Sequence, residues 1–273
     1  MTQEVMPTNE LTGPRYGVRL KSIALPAEHG GWGLLLEPVA LGLMVAPSVA
    51  GLYLALAAVG FFVARHPAAW VIVNRRRSSP RTALAKRFAL LYLTIGVASL
   101  IAAIVFARHQ FMLPLAIAAL FALVHLIHDW TGRRRALLPE IAGTVAISWV
   151  VAAIALGAGW SRPASFALWA IMSARTIPAI IYVRACLARM HRRPASLRPI
   201  MISHILAIVA AALWVSAGVA PYLTFAVMIT LLVRAFVGFA KLDFLTPKQL
   251  GFSEIGFGAV TVFAVALGIA FHL

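Results

Sequence analysis

Apolar residues gather along this chain in nine long runs, at about 29–46, 49–73, 88–106, 112–128, 139–157, 164–186, 199–218, 220–240 and 255–271, each followed by a short polar connection. Because roughly 20 residues cross the hydrocarbon of a bilayer as a helix, runs of this length predict membrane-spanning helices. The pattern therefore predicts an all-α fold, a polytopic bundle of nine helices. Residues 1–24 are polar and carry Arg15, Arg19 and Lys21, with no apolar signal-peptide core ahead of the first run. They are expected to form a cytoplasmic N-terminal arm, leaving 25–273 as a single transmembrane domain.

Composition agrees: 62% of residues are hydrophobic, 12% are charged and the mean hydropathy is +0.92, far from soluble averages. The net charge of +16 could point to nucleic acid, but its distribution points elsewhere. If the N-terminus is cytoplasmic, 19 of the 24 Lys and Arg residues fall in the inner connections, and only Arg108 and Arg162 fall in the outer ones. Retention of basic residues in the cytoplasm orients membrane helices, so the surplus reads as a topology device. The expected location is the inner (cytoplasmic) membrane, multi-pass, with the N-terminus inside and the C-terminus outside. The lipid bilayer, with anionic lipid at its inner face, is the expected partner, and no nucleic acid is. The one cysteine, Cys186, cannot form an internal disulfide. A weak internal repeat relates Pro26 to Pro139 and Arg65 to Arg175, at offsets of 113 and 110, and predicts two parallel four-helix halves plus one helix.

The polar residues inside these runs carry the candidate chemistry. The stretch 26–38, PAEHGGWGLLLEP, places Glu28, His29 and Trp32 near the start of the first run and Glu37 within it. On a helix His29, Gly33 and Glu37 share a face, and an intramembrane carboxylate calls for a cationic partner. Three arginines lie within runs: Arg65, Arg175 and Arg234. Arg65 and Arg234 are close enough to helix ends to reach the interface, whereas Arg175 is mid-run, so Glu37 is expected to pair with Arg175, or failing that with Arg65. Glu37 and His29 are the candidate catalytic base, and Arg65, Arg175 and Arg184 the candidate receivers of an anionic head. Glu28, Trp32, His66, Asn74, Tyr182 and Glu254 complete the expected lining. Glu140 and Glu254 each open a run, where a carboxylate also suits a helix N-terminus. His125, His128 and Asp129 have a spacing that could ligate a metal, but they read as an interfacial cluster, and no metal site is expected. With few exceptions these groups lie on the inner side, which predicts a cavity open to the cytoplasm.

The Leu25-Pro-Ala-Glu-His-Gly-Gly-Trp-Gly33 motif with its following Glu37-Pro38, Tyr182-Val-Arg184, and the late Pro247-Lys-Gln-Leu-Gly-Phe-Ser-Glu254 resemble the YwiC-like family of bacterial integral membrane proteins. That resemblance implies a membrane location and no particular reaction. Nine helices with polar inner ends on the second and sixth also resemble the UbiA-type prenyltransferases, in which aspartate-rich motifs at those ends hold magnesium and a prenyl diphosphate. The corresponding ends here carry His66, Trp70, Asn74 and Tyr182, Arg184, with no aspartates. The second resemblance thus implies a UbiA-like bundle that binds or transfers an anionic, isoprenoid-like amphipath through arginines rather than a metal cage. The alternative is a permease, or a haem- or quinone-binding accessory of respiration with ligands among His66, His125, His128 and His204. The sequence leaves the cofactor unknown.

Overall fold

The computed structural model describes residues 21–25, 29–75, 79–131, 136–241 and 246–273. After a single turn, α1 (Lys21–Ala24), come nine helices: α2 (His29–Val45), α3 (Val49–Val73), α4 (Pro80–Phe106), α5 (Met112–Trp130), α6 (Leu137–Gly157), α7 (Arg162–Met190), α8 (Leu197–Ser216), α9 (Tyr222–Ala240) and α10 (Pro247–Phe271). No strand occurs among the described residues. The protein is a polytopic all-α membrane bundle. Among the described residues, seven helices are long and apolar enough to cross a bilayer. The other two of the nine expected spans are shorter apolar helices over Gly30–Val45 and Met112–His128.

Helix boundaries follow from local chemistry. Ser48, Ser79, Ser161, Ser196 and Thr246 cap α3, α4, α7, α8 and α10, each side-chain oxygen accepting from a backbone N–H of the first turn. Proline follows directly at Pro80 and Pro247, where a missing N–H costs nothing. These caps correct two expected starts. α4 begins at Pro80 rather than near 88, and α10 at Pro247 rather than 255, because a helix need not stop where its apolar run does. At the other end of the bundle, α6 and α8 close in one pattern: Gly159 (φ 101°) and Gly218 (φ 70°) take left-handed backbone. The next residues, Trp160 and Val219, donate to the carbonyls of Ala155 and Trp214.

Five helices ring the molecule's axis: α2 packs on α6 and α10, α6 on α7, α7 on α9, and α9 on α10. The α3–α4 pair lies outside this ring through α3 on α6, α5 packs on α6, and α8 covers α7 and α9. Leu41, Val151, Leu168, Met172, Met228, Leu231, Val262 and Val265 form one buried apolar core. Tyr182, Cys186, Ile200, Ala235, Phe239 and Leu250 form a second. Along α7, α9 and α10 the two cores are separated by one polar level.

A buried charge cluster as candidate functional site

Arg175, Arg234 and Glu254 stand between those cores on α7, α9 and α10, and Glu37 joins them from α2. Counting along α7 places Arg175 near mid-helix, and its side chain is 1% exposed. Its Nε lies 2.9 Å from Oε2 of Glu37, itself 7% exposed. This is the pairing that depth alone singled out. The N–H is not aimed at the oxygen, however, and neither atom completes a hydrogen bond, so the contact is one of charge only. Arg175 instead donates from Nη2 to the backbone carbonyl of Glu254 at 2.8 Å, with Nη1 3.6 Å from that residue's Oε2.

Glu254 is the better satisfied carboxylate. Arg234 grips it with both terminal nitrogens, Nη1 to Oε1 and Nη2 to Oε2, the latter at 3.2 Å. Such bidentate geometry is the strongest form of arginine–carboxylate contact. The Arg234 guanidinium lies 4.4 Å over the Tyr182 ring and 5.1 Å from the Phe257 ring, so two aromatic faces hold it flat. Its Nε has no hydrogen-bond partner. Two glycines let these groups approach. A Cβ on Gly258 would overlap the Glu37 carboxylate, and one on Gly238 would overlap the Tyr182 hydroxyl. Two guanidiniums and two carboxylates thus form a neutral cluster with three unspent hydrogen-bonding atoms: Glu37 Oε2, Arg175 Nε and Arg234 Nε.

These observations correct the sequence reading at two positions. Arg234 does not snorkel; its side chain is 8% exposed and locked onto Glu254. Glu254 does not cap α10 but sits two turns inside it. Arg234 is the member of the cluster missing from the expected lining, because proximity to a helix end read as reach to water. The aromatic pair Tyr182 and Phe257 and the permissive Gly238 were the available signal.

The remaining candidates form a shallower tier on the side of the basic connections. Arg184 donates to Glu140 at 2.7 Å, both about one-third exposed. Glu140 also lies in the first turn of α6, so it is both a dipole partner and an ion-pair partner. Nη1 of Arg65 lies 3.2 Å from Nε2 of His125, whose Nδ1 meets the Pro139 carbonyl at 2.9 Å. Arg65 can only donate, so Nε2 accepts from it and Nδ1 faces the carbonyl as donor. Asn74 caps α3, donating to the Trp70 carbonyl. His66 is half-buried on α3, and α3 runs unbroken through Pro67. The Trp32 ring meets Phe62 edge-on at 5.4 Å. His128 and His204 each bond the carbonyl one turn back on their own helix. Glu28 lies outside the described residues, and of His29 only its place at the start of α2 is described. Among the described residues no three His, Cys, Asp or Glu side chains converge as a metal site.

No curated protein and no solved structure matches the chain, so the UbiA-type resemblance rests on sequence features alone. A family model described as YwiC-like protein matches residues 25–155. That segment holds Glu37, Arg65, His66, Asn74 and Glu140, while Arg175, Arg234 and Glu254 lie beyond it. Residues 25–155, which contain the PAEHGGWGLLLEP stretch, are thus similar to the YwiC-like family.

Proposed function

We propose that this membrane protein binds the anionic head of an isoprenoid-like amphipath at Arg175 and Arg234, reached from the side of the basic connections. One observation carries the reading: the Glu37–Arg175 contact has charge but no hydrogen bond, while Nε of both arginines is unspent. A ligand carboxylate, sulfate or phosphate that takes the place of Glu37 gains directed hydrogen bonds that the resting pair lacks. Glu37 is then the exchangeable counter-ion and the group placed to give or take a proton at the head. Glu254, held by four contacts, is the fixed one.

The orientation follows from charge. The C-terminal ends of α3, α7 and α9, with Arg75, Arg192, Arg193 and Lys241, share one face, so that face is assigned to the cytoplasm and the membrane to the cell's inner one. The reading is tested by native mass spectrometry of protein extracted in mild detergent. Wild type should carry an anionic amphipath that Arg175→Met loses. The double variant Glu37→Gln/Arg175→Met, in which no charge is left alone, should be folded and equally empty. Wild type without such a ligand, or a double variant that retains it, overturns the reading.

A further inference from the structure

Resting on that reading, we infer that each anion bound at Arg175 brings a proton with it, taken up on Glu37. Arg175 and Arg234 balance Glu37 and Glu254, and all four side chains are at least 86% buried. An anion added to this set leaves one negative charge without a counter-ion where the dielectric is low, and a buried group in that position sheds its charge.

Geometry selects which carboxylate does so. Glu254 keeps its bidentate hold on Arg234 whatever happens at Arg175. Glu37 has one salt-bridge partner among the described residues, and the anion takes it. Arg65, Arg184 and Arg234, on the helices around α2, each engage another partner. α6 presents Glu140, engaged by Arg184. α3 presents His66, and Arg65, which is engaged with His125. α10 presents Glu254, with Arg234 of α9 turned onto it. Behind the cluster, α8 places His204 with Nδ1 committed to the Ile200 carbonyl, and α7 places Tyr182 and Cys186 in the second apolar core. The displaced side chain can lean toward Gly33 once Ile255 shifts, since Ile255 Cγ1 lies 3.3 Å from the Gly33 Cβ position. Gly33 lies one turn earlier on the same face of α2, its Cβ position 4.0 Å from Glu37 Oε1, and helical side chains lean toward the N-terminus.

The only covalent change is the O–H bond formed on Glu37 with a proton taken from water. The anion gains N–H donors on Arg175, the Glu37 carboxylate becomes a carboxylic acid, and the net charge of the site stays at zero.

The test uses geranyl sulfate, an isoprenoid anion whose own charge does not titrate near neutrality. Calorimetry at pH 8.5 in two buffers of different ionisation enthalpy reads proton uptake directly. Wild type should take up about one proton per sulfate bound, and its affinity should fall about tenfold per pH unit in the alkaline range. Glu37→Gln should bind with no uptake and little pH dependence. Sulfate bound to wild type without proton uptake overturns the coupling while leaving the anion site standing. Equal uptake by Glu37→Gln overturns the assignment to Glu37. Absence of binding by both overturns the anion site and the coupling together.

Discussion

Glu37 and Arg175 stabilise the fold only as a pair. Removing one partner of a buried ion pair leaves an uncompensated charge at a cost of about 3 to 5 kcal/mol, whereas removing both is close to neutral. Thermal unfolding in detergent of Glu37→Gln, Arg175→Met and the double variant should therefore give strong positive coupling; additive losses would mean that the 2.9 Å contact carries no energy. A second comparison is internal to α10. Gly258 faces the Glu37 carboxylate at overlap distance, while Gly256 meets nothing within 4 Å. Alanine at Gly256 should be neutral or slightly stabilising, since glycine costs a helix interior up to about 1 kcal/mol. Alanine at Gly258 should instead cost about 1 to 3 kcal/mol from overpacking, and equal melting temperatures for the two variants would contradict the close approach. Glu37 was legible in the sequence because a carboxylate in an apolar run has few acceptable explanations, and Arg175 because it lies too deep to reach water. Arg234 was hidden by a sound rule about helix ends that the Tyr182 and Phe257 faces override.

Apolar runs report where a helix meets lipid, and that is less than where it is helical. Lipid exposure alone therefore placed the start of α10 at 255 and made Glu254 look like a cap, while Thr246-Pro247 already announced the true start. Helix count, order and approximate centres were legible for the same reason that the starts were not: hydrophobicity marks the middle of a span. Helix pairing was not legible, since it depends on small residues whose meaning appears only with their partners in place. α3 and α4 show this. The Cβ position of Gly60 lies 3.0 Å from backbone atoms of Gly96, and Ala57, Ala64, Ala85, Ala89 and Ala103 are buried on the same two helices. Because backbone cannot move aside as a side chain can, Gly60→Leu should push the two helices apart. Cysteines placed on facing turns of α3 and α4 should then lose the crosslinking they show beside Gly60, and unchanged crosslinking would refute the close packing.

At the scale of the whole molecule, the connections at 46–48, 107–111, 158–161 and 217–221 lie at one end of the bundle and Arg75, Arg192 and Arg193 at the other. In a Cys186→Ala background, cysteines at Pro47 and His109 should react with an impermeant thiol reagent from outside intact cells, and cysteines at Arg75 and Arg193 should not. The opposite result would invert the molecule. The cluster at its centre draws on residues 37, 175, 234 and 254, so the last helix supplies the carboxylate that Arg234 requires. During synthesis α9 must enter the bilayer, or wait beside it, with Arg234 unmatched until α10 emerges. An unmatched arginine in a membrane helix costs about 2.5 to 3.5 kcal/mol on insertion scales, enough to leave α9 poorly retained on its own. A chain stopped before α10 is therefore the form that quality-control proteases should clear, and the cluster doubles as the signal that assembly is complete.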